Sequence, residues 1–267
     1  MTKLNLIVLV KQVPDIEKVK FDAEKGRIDR SSATAETNPF DLNALEAAAQ
    51  IKEKLGGKIT AVSMGPLQAK STLRDALARG ADRAVLLTDK KFGGADTLAT
   101  SYTLACAIKK IGHFDLIVCG EKTVDGDTGQ VGPELAEHLD IPQATYVFEV
   151  KEVSNEKIMV LSDVEGEYYL IELRFPALIT VTKDVNHPRL PSLRDKLKAR
   201  RAEIETWSAD DLAEVADASR FGISGSPTNV SKITFPCEEV RMGKIFRDAP
   251  EKAVGMFLEA LLRDGVI

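Results

Sequence analysis

Cysteine is scarce in this chain of 267 residues: Cys106, Cys119 and Cys237 are the three, and no two share Cys-x-x-Cys spacing. Neither a disulfide framework nor a zinc site is indicated. Histidine is as scarce. His113, His138 and His187 are scattered over a helix end, a helix and a loop without metal-ligand spacing, which favours surface or capping roles over catalysis. The chain has no Gly-x-Ser-x-Gly elbow and no Gly-x-x-x-x-Gly-Lys-[Ser/Thr] loop, which removes the commonest hydrolase and P-loop readings. An excess of positive charge is also missing. With 36 Lys and Arg against 41 Asp and Glu the net charge is −5, which speaks against nucleic acid as the main partner. The longest apolar run, Leu6-Ile-Val-Leu-Val10, falls far short of the roughly 20 residues that span a bilayer. It lacks the charged leader and small-residue cleavage site of a signal peptide. The expectation is a cytoplasmic protein without membrane insertion.

What is present is ordinary globular composition, 44% apolar and 29% charged, enough to bury a core. Leu4 to Val10 reads as a strand buried on both faces of a parallel sheet. Lys11-Gln-Val-Pro-Asp15 leaves that strand, and Phe21 to Thr37 is a short hairpin or ordered loop around a Lys25-Gly26 turn. Asn38-Pro-Phe-Asp41 opens a helix, with Asn38 as N-cap and Pro39 in the first turn, and Gly56-Gly57 ends it. Strands at 58–63, 83–88 and 114–119 then alternate with helices at 68–79 and 96–111, the signature of βαβ units. From Ala144 the pattern changes to antiparallel strands over 147–153, 157–161 and 168–173, with one more buried strand at Ala177–Val181. Leu193 to Arg201 is a short basic helix. From about Ile204 periodicity fades until an amphipathic helix over 250–262, and this region is expected to be an arm on a partner.

One stretch organises the rest: Cys119-Gly-Glu-Lys-Thr-Val-Asp-Gly-Asp-Thr-Gly-Gln-Val-Gly-Pro-Glu134. Strand, glycine-rich loop and helix in that order place backbone N–H groups and a helix dipole at the carboxyl edge of a sheet, where phosphates bind. Gly126 and Gly129 can take positive φ and have no Cβ to hold a ligand off. A bare carboxylate would repel a phosphate, so Asp125 and Asp127 read as loop caps or as acceptors for ribose or ring hydrogens, with Thr128 donating to the anion. Such a loop can also be a mere connector. Its company on one sheet edge, Asn38-Pro-Phe-Asp41 and Met64-Gly-Pro66, favours a nucleotide. The run Lys196-Leu-Lys-Ala-Arg-Arg201 is a solvated face or, beside exposed Leu193, a docking surface. Cys119 at a strand end reads as core. No acid–base or nucleophilic machinery is evident, and no catalytic residue is assigned, which leaves the chemistry to a cofactor.

Over essentially its whole length the chain resembles the β subunit of electron-transfer flavoprotein. The matching motifs are Val10-Lys-Gln-Val-Pro-Asp15, Asn38-Pro-Phe-Asp41, Ser63-Met-Gly-Pro66, Asp75-Ala-Leu-Ala-Arg-Gly-Ala-Asp82, Asp125-Gly-Asp-Thr-Gly-Gln-Val-Gly-Pro133 and Lys198-Ala-Arg-Arg201. The resemblance implies an α/β fold with a mostly parallel Rossmann-like sheet of the adenine-nucleotide-hydrolase-like kind, an antiparallel extension and a C-terminal arm. Residues 1–203 would form the nucleotide domain, 184–201 a recognition loop, and 204–267 the arm that embraces an α subunit. The form Asp-Gly-Asp-Thr-x-x-Val-Gly-Pro looks like the bifurcating class, whose β subunit holds a second FAD; mitochondrial-type members hold AMP and carry a more acidic loop.

By the same resemblance, Leu9, Asn38, Asp41 and Met64 would line the cleft. Gly120, Thr123, Val124, Asp125, Gly126, Asp127, Thr128, Gly129, Gln130 and Val131 would wrap the phosphates and ribityl chain. Leu193, flanked by Lys196 and Lys198, would anchor the partner dehydrogenase, and no metal is implied. The implied activity is hydride uptake from NADH, with one electron passed to ferredoxin or flavodoxin. The other passes through the α-subunit FAD to an acyl-CoA dehydrogenase-like or lactate dehydrogenase-like flavoenzyme, reached by a mobile head. The alternatives are an AMP-containing carrier that only relays electrons, and an adenosine-nucleotide sensor of the universal-stress type sharing the fold alone.

Overall fold

The computed structural model describes residues 3–15, 20–22, 27–29, 35–229 and 243–267. Apolar, β-branched Leu4–Leu9 forms strand β1. Gln12–Pro14 (β2) pairs antiparallel with Ala35–Thr37 (β5), and Lys20–Asp22 (β3) with Arg27–Asp29 (β4), so the expected hairpin is present. Its Lys25-Gly26 turn lies outside the described residues. Helix α1 (Pro39–Leu55) follows, then β6 (Gly57–Met64), α2 (Lys70–Ala78), β7 (Arg83–Leu87), α3 (Thr97–Ile111) and β8 (Leu116–Gly120). Beyond the glycine-rich loop come α4 (Val131–Leu139), β9 (Gln143–Val153), β10 (Lys157–Val164), β11 (Glu167–Arg174) and β12 (Ala177–Val181). The last elements are α5 (Leu193–Arg201), β13 (Glu205–Trp207) and α6 (Pro250–Arg263).

Nine strands form one sheet in the order β11-β10-β9-β12-β8-β1-β6-β7-β13. From β9 to β13 every neighbouring pair is parallel; β10 and β11 extend the β9 edge antiparallel. The fold is α/β with a mostly parallel sheet, as the alternation of elements requires. Strand residues divide by parity. Leu4, Leu6 and Val8 join the layer of α1 and α2, whereas Ile7 and Leu9 join that of α3 and α4. Helices on both faces explain why β1 is apolar on both faces from Leu6 to Leu9. The chain steps from β1 to β6 and β7 on one side, then returns to place β8 on the other. The strand order therefore reverses at β1 and β8, and a crevice opens above their carboxyl ends.

The C-terminal third departs from the expected layout. The compact unit that contains the sheet runs to Asn229, not to residue 203, and a second unit spans Val230–Ile267. β13 adds to the sheet beside β7, and Trp207, Leu212 and Phe221 are buried against α3 residues. Trp207 sits in a three-residue strand, Leu212 in a single 3-10 turn and Phe221 between two such turns, so their spacing follows neither helix nor strand period. That is why the segment read as loose arm. In the second unit α6 buries none of its residues, and Val254, Phe257 and Leu258 are exposed along it.

Leu212 is fully buried, so Leu212→Ala should cost about 3 kcal/mol of unfolding free energy, read by urea denaturation. A cost below about 1 kcal/mol would mean that this stretch is peripheral after all.

Candidate nucleotide site

The crevice is bounded by the connection from β1 to α1 and by the loop from β8 to α4. Its floor is a buried carboxylate. Asp41, in the first turn of α1, accepts the Lys11 N–H at 2.8 Å through Oδ2 and the Gly120 N–H at 3.2 Å through Oδ1. The first donor leaves β1 and the second ends β8, so one side chain ties the two strand ends at the point of reversal. Burial pushes the Asp41 carboxyl up to about 7, against the lowering effect of those hydrogen bonds and of Lys11. Gly120 is required beside it: a Cβ there would lie 2.6 Å from both Asp41 Oδ1 and Phe40 Cβ.

Asn38 holds the loop rather than the helix. It occupies the N-cap position of α1, yet its side chain makes no capping bond. Nδ2 donates to the Lys122 carbonyl at 2.9 Å and Oδ1 accepts from the Val124 N–H at 3.2 Å. Asn38 is fully buried, and these loop groups would otherwise lack partners in a water-poor place. The amide therefore goes to the loop, and the expected cap is corrected to a tether.

Beyond the tether the loop leaves several backbone donors without a partner among the described residues. The backbone N–H groups of Gly126, Thr128, Gly129 and Gln130 donate to no group among the described residues, and they run straight into the N-terminus of α4. The left-handed positions are Asp127 (φ 53) and Gly129 (φ 65), whereas Gly126 does not use its freedom to take positive φ. A Cβ on Gly126 would meet only Thr123 Oγ1 at 3.4 Å, so the chain itself does not demand glycine there.

The two aspartates of the loop are each paired with a lysine that sequence reading did not single out. Asp125 pairs with Lys11 Nζ at 2.8 Å, and Asp127 with Lys122 Nζ at 2.8 Å. Partial burial alone would raise the Asp125 carboxyl, but the hydrogen bond from Lys11 and its charge hold it below the ordinary carboxylate range. With both aspartates paired, the loop presents free N–H groups and a helix dipole to an anion. This donor set fits a phosphate or pyrophosphate.

Leu9 and Met64 end β1 and β6 on the same sheet edge, Leu9 buried and Met64 half-buried. Cys119 is buried core, and burial pushes its thiol well above the ordinary range, so it supplies no nucleophile. Cys237 lies outside the described residues. His138 packs edge-on against Tyr102 with its centroid 5.7 Å away and is held below its ordinary pKa, by burial first and then by Arg220. Among the described residues no group of three or more His, Cys, Asp or Glu is placed to hold a metal ion, and no helix is long and apolar enough to cross a membrane.

The segment around residues 184–201 is fastened from behind. Arg189 forms a fork onto Glu46, at 2.7 Å and 3.0 Å, and also reaches Glu53, both on α1. Asn43 of α1 and Asn186 exchange hydrogen bonds with each other's carbonyl oxygens, and Arg74 donates to the carbonyls of Ala199 and Arg200. Leu193, Lys196 and Lys198 all stand exposed on α5, Leu193 at 75%, next to Leu190 at 89%. Ser192 caps this helix by accepting the Asp195 N–H.

Known proteins align with the chain along most of its length. The Electron transfer flavoprotein domain matches residues 25–212. The electron transfer flavoprotein subunit beta of Thermoanaerobacterium thermosaccharolyticum is 45% identical over 97% of this chain and 98% of its own. Protein FixA of Bradyrhizobium diazoefficiens is 44% identical, covering 92% and 88%. The caffeyl-CoA reductase-Etf complex subunit CarD of Acetobacterium woodii is 42% identical, covering 87% and 88%.

Because Asp41 is raised from 3.8 to about 7 in the folded protein, the folded state holds its proton more tightly than the unfolded one. Its contribution to stability is full below the unfolded pKa and is lost as pH rises through the folded one. Between about pH 4 and 7 the protein should lose up to about 4 kcal/mol from this group. Thermal melts across that range should show the decline in the wild type and a flatter profile in Asp41→Asn.

Proposed function

The chain belongs to the electron transfer flavoprotein family as a β subunit, and from that premise we propose that its crevice holds FAD and serves NADH oxidation with electron bifurcation. One electron would pass to ferredoxin or flavodoxin. The other would pass through the FAD of the α subunit to an acyl-CoA dehydrogenase-like or lactate dehydrogenase-like flavoenzyme. The observation that carries this reading is the loop itself: four N–H groups without a partner among the described residues ahead of a helix, with both neighbouring aspartates paired and no side chain at Gly126.

Each residue has a binding task and none a proton-transfer task. The N–H groups of Gly126, Thr128, Gly129 and Gln130, with the Thr128 hydroxyl, would hold the phosphates. Lys11 and Lys122 keep Asp125 and Asp127 from repelling them. Asn38 fixes the loop, and Asp41 fixes the strand ends below it. Leu9 and Met64 would supply apolar contact at the cleft. When bound, FAD supplies the hydride acceptance and the one-electron transfers that no side chain of this site offers. Gly126 favours the dinucleotide. Since the chain does not need glycine there, the vacant Cβ space leaves the backbone open to a second phosphate, whereas the AMP alternative makes no such demand.

The docking surfaces follow in the same way. Exposed Leu193 with Lys196 and Lys198 is proposed to meet the partner dehydrogenase, on a loop that Arg189 and Asn43 hold in shape before contact. Residues 230–267, with the uncovered apolar side chains of α6, are proposed to embrace the α subunit. The expected arm is thereby shortened at its start.

Acid extraction of the copurified αβ complex followed by chromatography should yield two FAD per heterodimer. One FAD with one AMP would mean a simple electron relay. Gly126→Asp should reduce the second FAD several-fold while leaving the α-subunit flavin in place; unchanged content would remove the argument from Gly126.

A further inference from the structure

Four residues other than glycine take positive φ among the described residues: Asp127, Asp140, Tyr146 and Glu165. Asp140 closes α4 and Glu165 begins the turn between β10 and β11, places where this conformation is common. Asp127 belongs to the glycine-rich loop. Tyr146 differs from all three, being a bulky residue inside a strand with φ 54, which is a genuine outlier.

The strain has a local cause. The parallel register of β12 on β9 runs Ile179 to Ala144 and then Val181 to Val147, so β9 carries one extra residue opposite Thr180. Without that bulge, alternation would put Tyr146 on the face of Ala144, in the core. With it, Ala144 and Val147 both enter the core and Tyr146 is turned out, 39% exposed. Its N–H donates to Thr180 Oγ1 at 3.1 Å, which pins the bulge from a buried side chain. Bulges of this kind re-aim a side chain next to functional sites.

The side chain is aimed at the nucleotide loop. A Cβ built on Gly129 would lie 3.4 Å from the Tyr146 hydroxyl, and the phenol is within electrostatic reach of the Lys122 ammonium. The strained aromatic is 39% exposed and stays out of both core clusters, so its conformation does not serve to fill the interior. We propose that Tyr146 is a positioning residue of the nucleotide site, its phenolic O–H donating to a phosphate oxygen of the nucleotide that the loop holds at Gly129. The proposal rests on the nucleotide reading of the crevice. Strain is retained where a side chain is needed in a place regular backbone cannot reach. The bulge, the Thr180 bond and the left-handed Tyr146 together place a neutral donor beside the N–H row without adding charge.

The test is titration of the nucleotide-stripped αβ complex with FAD and, separately, with AMP, by calorimetry, together with its melting temperature. Tyr146→Phe should weaken the second equivalent of whichever nucleotide binds by about tenfold, without changing the melting temperature of the stripped complex. Tyr146→Asn, which tolerates positive φ, should raise that melting temperature and still weaken binding. Wild-type affinity in Tyr146→Phe would overturn the proposal, and so would a loss of affinity that is matched by a loss of thermal stability. A wild-type complex that takes up neither nucleotide beyond the α-subunit flavin would sink the nucleotide reading itself, and Tyr146 with it.

Discussion

The structure depends on one buried carboxylate placed where the strand order reverses. Asp41 is 5% exposed and spans from the end of β1 to the end of β8, accepting one backbone N–H from each. A carboxylate in that position costs desolvation, and the two hydrogen bonds return only part of it, as the upward shift of its pKa records. The gain is geometric. Two strands that are not consecutive in the chain have their ends fixed at one spacing, and the loop that follows β8 starts from a set point. Gly120 answers the same constraint, because any Cβ would strike the carboxylate or Phe40.

From that fixed point the site solves a problem of charge. A loop proposed to hold phosphates would defeat itself if its two aspartates were bare. Lysines from two different origins cancel them. Lys122 is a neighbour in the same loop, whereas Lys11 arrives from the end of β1, 114 positions away from Asp125 in sequence. Asn38 then takes up the Lys122 carbonyl and the Val124 N–H, while Gly126, Thr128, Gly129 and Gln130 keep N–H groups without a partner among the described residues. What the loop offers a ligand is thus decided as much by what its other groups are already bonded to as by its glycines.

The segment around residues 184–201 shows the same economy of cause. Its exposed leucines would collapse or wander on a free loop. A fork from Arg189 onto Glu46 and Glu53, and the paired amides of Asn43 and Asn186, hold it on α1 instead. Burial by itself would raise the Glu46 carboxyl, yet the guanidinium keeps it below the ordinary range, so the clamp is ionic at neutral pH. The helix that anchors the loop is also the helix that carries Asp41.

Much of this was legible in the sequence, for reasons that lie within short windows. Apolar runs and capped helices alternate at spacings that only a parallel sheet with covered faces satisfies, and the strand, loop and helix around residues 114–139 mark the carboxyl edge without any coordinates. The family followed from motifs of similarly local kind. Tertiary structure decided what depends on distant partners. It turned Asn38 from a cap into a tether, placed left-handed backbone at Asp127 and not at Gly126, and drew Trp207, Leu212 and Phe221 into the core although their spacing follows no regular period. It also set Lys11 on Asp125 and pointed Tyr146 at Gly129 through a bulge. Periodicity and propensity are written residue by residue along the chain; ion pairs, register shifts and competition for a buried amide exist only once the sheet has brought remote segments together.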